Sequence, residues 1–292
     1  MATLFKSLSG RVPDYYKQKN KAEAQLGRKL TAKEFEENYL VLPENQSSVS
    51  NTGTSTFDPA LCELIYLWFS KEEDMVIDPF AGGSVRGIIA AELGRNYVGV
   101  DLREEQIEAN VKNAEDVCTD RRPVWICGDS MHIPELAPGE YDFMLTCPPY
   151  GDLEVYSDDP ADISNMSDDD FDATYTEIMR KATGLVKEDR FLAVVVGNYR
   201  DKEGFLRDLN GLTIRAMESA GAKFYNEIIY VQPAGSLPIR SGSVFQKSRK
   251  VGKMHQNLLI FCKGNPKRAA ERLGDVQIPD LSEYTVEETE EF

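Results

Sequence analysis

Two short runs carry the residue types that could do chemistry in this chain. They are Asp78-Pro79-Phe80-Ala81-Gly82-Gly83-Ser84 and, further on, Thr146-Cys147-Pro148-Pro149-Tyr150. The first follows an apolar strand pattern, MVIDP, and breaks into a glycine turn that opens a helix. A backbone without side chains lets a charged cofactor approach closely at such a turn. The second follows YDFMLT and breaks into a Pro-Pro turn, which fixes two carbonyl acceptors in space and projects an aromatic face beside them. Two further aspartates end strand-like runs: Asp101 in YVGVDL and Asp129 in CGDS. An acid placed about twenty residues beyond a glycine turn is in position to accept ribose hydroxyls.

Apolar and β-branched runs must hold these turns in place. They predict strands at 75–79, 97–101, 123–127, 141–146 and 191–197, then a final pair at 224–232 and 255–262. Helical periodicity fits 58–70, 86–94, 103–118, 168–186 and 204–220. Alternation of this kind implies an α/β fold with a mostly parallel sheet and ligands outside the carboxyl ends of the strands. The glycine turn lacks the G-x-G-x-x-G spacing of a nicotinamide dehydrogenase.

In this order and spacing the two runs resemble motifs I and IV of the S-adenosylmethionine-dependent methyltransferases that act on exocyclic amino groups of DNA bases. The look of FDP, DPFAGGSVRG, YVGVDL, GDS and TCPPYGDLEVYS is similar to DNA methylases of phages and prophages, over roughly residues 55–262. The resemblance implies the class I, Rossmann-like methyltransferase fold: a mostly parallel seven-stranded sheet with an antiparallel terminal strand pair. It assigns S-adenosylmethionine to Phe57, Asp58, Asp78, Pro79, Phe80, Ala81, Gly82, Gly83, Asp101, Leu102, Asp129 and Ser130. Asp78 and the Phe80–Gly83 backbone are expected to line the methionyl part, Asp101 the ribose and Asp129 the adenine amino group. Asp58 is equally a plain helix N-cap, with Pro59 at the first helical position.

Cys147, Pro148, Pro149 and Tyr150 form the expected catalytic turn. The family reads Asp, Asn or Ser where this chain has Cys147, and the family's second glycine is replaced by Ser84. A side-chain acceptor at 147 and the Pro148 carbonyl would hold the target amine for displacement. Sulfur is a weak acceptor, so carbon-5 alkylation of a pyrimidine by a Cys147 nucleophile stays open. Against it, Thr146 rather than Pro precedes the cysteine. Tyr150 offers a ring on which an extruded base can stack. Transfer of a larger group, methylation of RNA or of a protein glutamine, and a non-catalytic DNA-binding module also remain.

Charge separates along the chain. The net charge is −16, yet Ser236 to Arg268 holds eight basic residues and no acid. Arg240, Lys247, Arg249, Lys250 and Lys253 lie in a Gly/Ser/Pro-rich stretch, 233–254, that reads as a long mobile loop facing DNA phosphates. Asp152 to Asp172 carries nine carboxylates directly after the Pro-Pro turn, where Glu154 and Tyr156 are candidates to close over a flipped base. After strand five, Asn198 and Arg200 are either a helix start or a wall facing the target strand, and His255 and Gln256 open the last strand.

The organisation expected is an arm and linker over 1–54, the methyltransferase domain over 55–274 and an acidic disordered tail over 275–292. Five cysteines form no CxxC and two histidines are too few for a His-based metal site. No metal and no membrane partner is therefore expected of a cytoplasmic, reduced protein. The partner that the resemblance implies is double-stranded DNA with the target base flipped, and the oligomeric state is left open.

Overall fold

The computed structural model describes residues 57–151, 157, 159–232 and 237–276, with positions 22, 26 and 28 of the arm; within 237–240 only the backbone is described. The chain divides into two units, one of Met1–Ala60 with Val231–His255, the other of Leu61–Tyr230 with Gln256–Phe292.

The elements follow the apolar runs closely. Helix α1 is Pro59–Phe69, followed by β1 Met75–Asp78, α2 Val85–Glu92, β2 Asn96–Asp101, α3 Glu104–Val117 and β3 Val124–Cys127. Then come β4 Phe143–Thr146, α4 Asp168–Gly184, β5 Arg190–Val196, the short strands β6 Tyr199–Arg200 and β7 Leu206–Arg207, and α5 Leu209–Ser219. The chain continues with β8 Ala222–Val231, α6 Leu237–Ser248, β9 His255–Lys263 and α7 Pro266–Leu273. Among the described residues no helix is long and apolar enough to cross a membrane.

The main sheet has the order β3-β2-β1-β4-β5-β9-β8. Strands β1 to β5 pair in parallel, and β9 runs antiparallel along the whole of β5, from Arg190↔Lys263 to Val196↔Asn257. This is the seven-stranded, mostly parallel sheet with an antiparallel addition that the alternating pattern implies. Strands β4 and β5 read as continuous apolar runs because both of their faces are covered: every residue of Phe143–Thr146 is buried. Ile77, Val100, Met144, Leu192, Val194 and Phe261 form the sheet's share of the core, against Phe171, Tyr175, Ile178 and Met179 of α4.

Two elements differ from the sequence reading. Residues 237–248, expected within a mobile loop, form a helix. Its Pro238 stands in the first turn, where a missing N–H is tolerated. Arg249 closes it in the left-handed region, φ 58°, donating its N–H to the Phe245 carbonyl. The helix expected over 204–220 begins only at Leu209, because 199–207 turns back as the β6–β7 hairpin and Asp208 caps the helix through Gly211 N–H. The acidic tail lies outside the described residues beyond 276, as does most of the 1–54 arm.

Candidate active site

The strand order places β1 and β4 side by side, with β2 and β3 on one flank and β5 on the other. That reversal of winding is where open α/β sheets bind ligands, beyond the carboxyl ends of the strands. The glycine turn follows β1 and the Pro-Pro turn follows β4, so the two motifs are neighbours on this edge.

A buried ion pair joins them. The Asp78 carboxylate is fully buried and accepts four hydrogen bonds: from Phe80 N–H at 3.1 Å, Thr146 Oγ1 at 2.7 Å, Arg86 Nε at 2.7 Å and Tyr97 Oη at 2.8 Å. Arg86, on α2, also donates through Nη2 to the Phe80 and Ala81 carbonyls at 2.6 and 2.9 Å. Burial opposes the Arg86 charge and is the largest single influence, but Asp78, through its charge and its hydrogen bond, together with Tyr97 and Cys147 outweighs it and holds the guanidinium protonated. Burial pushes the Tyr97 phenol up, so it stays a neutral donor. Thr146 immediately precedes Cys147. One carboxylate therefore fixes the start of both turns.

This corrects the role expected of Asp78. Its acceptor positions face inward and are filled, so the side chain shapes the turn and does not line it. Ser130 is likewise turned in, with Oγ donating to the buried Pro79 carbonyl at 2.6 Å. The sequence motifs assign no role to Arg86 or Tyr97; the one signal for Arg86 is a charge in the first turn of a helix that stays apolar until its last residue, VRGIIAAE.

The rest of the glycine turn is tied to β2 and α3. Gly82 has φ 48°, donates its N–H to Asp101 Oδ2 at 2.8 Å and accepts from Asn110 Nδ2 at 2.7 Å. A Cβ on Gly83 would meet nothing within 4 Å. Ser84 has φ −71°, a conformation open to any residue, so the absence of the family's glycine costs no strain. Phe80, half-buried, stacks on Tyr175 at 6.0 Å and 14°, and Tyr175 stacks on Phe171 at 5.7 Å and 7°. Helix α4 thus backs the turn with a column of rings.

Asp101 and Asp129 stay half-exposed on the same edge. Asp101 Oδ1 accepts from Arg103 N–H at 3.0 Å. Burial raises its pKa, outweighing the hydrogen bonds from the Arg103 and Gly82 backbone. Asp129 accepts from Met131 N–H at 2.8 Å as the cap of a short 3-10 turn, Ser130–His132. In each, these bonds leave acceptor positions on the carboxylate. Leu102 is half-buried, and its carbonyl accepts from Cys127 Sγ.

In the second turn Pro148 is buried, while Cys147, Pro149 and Tyr150 are half-exposed. Tyr150 Oη accepts from Gln256 Nε2 at 3.0 Å, so Gln256 anchors the ring from β9. Gly151 has φ 53°, and a Cβ there would lie 2.2 Å from Tyr199 Oη. Asn198 and Arg200 serve local structure: Asn198 Oδ1 accepts from Asn210 N–H on α5, and Arg200 Nη1 donates to the Gly204 carbonyl within the hairpin.

The acidic block after the turn acquires a physical account. Asp162 caps the 3-10 turn Ile163–Asn165, Ser167 caps α4, and Asp168, Asp169 and Asp170 occupy its first turn, where the helix dipole favours negative charge. Asp168 and Asp172 also pair with Arg207. Glu154 and Tyr156 lie outside the described residues.

In the other unit, Asp58 Oδ1 accepts from Ala60 N–H at 2.8 Å, the N-cap alternative, and Phe57 is half-buried. Of the basic positions, Lys247, Arg249 and Lys253 are exposed and Lys250 half-exposed, with the Arg249 guanidinium over the Phe245 ring at 5.3 Å. The side chain of Arg240 lies outside the described residues. The basic residues Lys263 and Arg268, later in the same acid-free stretch, are engaged locally: Lys263 Nζ donates to the Val186 carbonyl and Arg268 pairs with Asp189.

Residues 8–112 match the family model described as DNA methylase. The chain is similar to DNA methylases. The matched span takes in Phe57, Asp58, the glycine turn and Asp101, but ends before Asp129 and the Pro-Pro turn. Similar stretches occur in the type II methyltransferase M2.DpnII of Streptococcus pneumoniae, 38% identical over 55 residues, and in M.HinfI of Haemophilus influenzae, 36% over 53. The first match covers 19% of this chain and 20% of that relative, the second 18% and 15%. Among solved structures, TrmN from Thermus thermophilus aligns with TM-score 0.48 at 16% identity, over 73% of this chain and 51% of that one. A methyltransferase from Pyrococcus furiosus aligns with TM-score 0.46 at 15% identity, over 88% and 100%.

Proposed function

We propose that this chain transfers a methyl group from S-adenosylmethionine to an exocyclic amino group of a DNA base, N6 of adenine or N4 of cytosine. The observation that carries the reading is the pairing of the two turns on adjacent strands at the switch point, joined through Asp78 and Thr146. The residues present fit the cofactor. Gly83 leaves open space, the Phe80–Gly83 backbone presents the turn, Asp101 has acceptor capacity for ribose hydroxyls and Asp129 for an adenine amino group. Pro79, Ala81, Leu102 and Ser130 complete the cradle, the last through its hold on Pro79. S-adenosylmethionine supplies the activated methyl group.

The chain's own residues then position the amine. The Pro148 carbonyl and Cys147 Sγ accept its two hydrogens, turning the nitrogen lone pair away from both, and Pro149 holds that geometry rigid. Tyr150, steadied by Gln256, gives the extruded base a stacking surface worth about 1–3 kcal/mol, against an extrusion cost of a few kcal/mol. The amine passes its proton to solvent water once the new bond forms, so positioning carries the rate without a dedicated base. Lys247, Arg249, Lys250 and Lys253, with Arg240, provide phosphate contacts along double-stranded DNA. The reaction is that of a cytoplasmic enzyme.

Carbon-5 alkylation is the second reading, and one observation favours it. The buried Arg86 guanidinium acts electrostatically on Cys147, and a neighbouring cation is what stabilises a thiolate nucleophile. Cys147→Ser separates the two, read by mass spectrometry of nucleosides from treated DNA. A positioning role keeps or improves activity, because oxygen is the better acceptor, with the label on an exocyclic nitrogen. A variant that binds cofactor and DNA but is inactive, with wild-type label on carbon 5, would overturn the amino-methyltransferase reading.

A further inference from the structure

Strand β8 ends the sheet order, with β9 its one sheet neighbour among the described residues. It runs for ten residues, AKFYNEIIYV, without proline or glycine. Lys223 through Glu227 and Ile229 are exposed; Phe224 is 38%, Tyr225 47% and Ile229 49% accessible. Open edges of this length are ordinarily blunted by bulges, prolines or repeated charges, because their unpaired backbone groups recruit another strand. Here the two charged side chains are Lys223 and Glu227, placed symmetrically about Tyr225.

That symmetry selects a partner. Alternate side chains share a face, so Lys223, Tyr225 and Glu227 project together. When two copies of the strand pair antiparallel about a two-fold axis through Tyr225, Lys223 of each lies opposite Glu227 of the other, and the tyrosines meet. An axis through residue 223 or 227 sets like charges opposite each other, and one through 224 or 226 leaves both charges facing uncharged groups. The pairing surface is held from behind. Tyr225 packs on Phe191 at 5.5 Å, Phe224 on Phe261 at 5.5 Å, and Asn257 Nδ2 donates to Glu227 Oε1 at 2.6 Å.

We propose that β8 is a homodimerisation edge, joining two copies antiparallel about Tyr225 into one continuous sheet. The inference is independent of the reaction proposed above. The two-fold reverses strand direction, so the carboxyl edges of the two copies face opposite ways and each copy presents its own site.

Sedimentation equilibrium of the full chain over a wide concentration range tests this, with circular dichroism to verify folding. The wild type is expected to dimerise. Lys223→Glu and Glu227→Lys each convert two opposite-charge pairs into two like-charge pairs, which should weaken the dimer on the order of tenfold. The double variant Lys223→Glu/Glu227→Lys restores opposite charges only across a two-fold centred on 225, and should recover the wild-type dissociation constant. A monomeric wild type, with this edge covered by another segment or partner, overturns the proposal. So does a dimer that ignores the single swaps, or a double variant no tighter than the singles.

Discussion

Replacing Thr146 by Val and, separately, Arg86 by Met tests whether the Asp78 cluster holds the site together in the way its geometry says. Thr146 contributes one hydrogen bond of 2.7 Å to a carboxylate with no solvent access. Val keeps the side-chain shape but sets a methyl against an ionised oxygen. A bond to a charged group contributes about 1.5–3 kcal/mol, and that is the expected loss of stability for Thr146→Val. Arg86→Met removes the counter-charge itself, together with the donors to the Phe80 and Ala81 carbonyls. Breaking a buried pair from one side costs about 3–5 kcal/mol, and Met fills most of the space, so little of this is a cavity effect. The order of the two is the sharp part of the prediction: Arg86→Met must be the more damaging. Reversible urea unfolding measures both through the shift in midpoint at constant slope. Equal or inverted losses, or an Arg86→Met protein within about 1 kcal/mol of wild type, would show that the ion pair does not organise the two turns.

The remaining expectations concern ligands. Asp101→Ala should weaken S-adenosylmethionine binding by about 1.5–3 kcal/mol in calorimetry with the fold intact; unchanged affinity removes Asp101 from the site. Because burial raises the Asp101 pKa, wild-type cofactor affinity should fall on acidification at a pH above that of an ordinary aspartate. The ionised form is the acceptor, so the loss runs toward low pH, and Asp101→Asn should flatten the profile. Replacing Lys247, Arg249 and Lys250 together by Ala should weaken DNA binding and reduce the slope of log K against log salt by roughly 0.9 for each phosphate no longer neutralised; cofactor affinity should not move.

The strands were legible because each is a short apolar run ended by a chemically distinctive residue: Asp78, Asp101, the CGDS turn, Thr146. Buried parallel strands have no solvent face to interrupt that signal. What stayed hidden depends on partners distant in sequence. The pattern VRGIIAAE shows a charge among apolar residues, but not that its partner is Asp78 on the neighbouring strand. The acids from Asp152 to Asp172 read as one charged mass, whereas Asp162, Asp168 and Asp172 act singly, in a cap and two ion pairs with Arg207. Helix α6 was masked by its Pro, Gly and Ser content, and its backbone follows a period that such residues only partly suppress. Gln256 could be placed on the last strand from sequence, but its bond to Tyr150 follows only from the fold.

The four donors converging on Asp78 have a consequence for how this position can vary. An aspartate offers two equivalent oxygens that only accept; an asparagine of the same size offers one oxygen and an amino group that only donates. Arg86 Nε and Tyr97 Oη aim at Oδ2, Phe80 N–H and Thr146 Oγ1 at Oδ1. Whichever way an amide were turned, one of its hydrogens would point at the hydrogen of an obligate donor, Arg86 Nε or Phe80 N, in a space closed to water, and the charge that balances Arg86 would be gone. The smallest change available in the genetic code's repertoire of side-chain shapes is thus among the least tolerable here, and the residue can drift only if the arginine drifts with it.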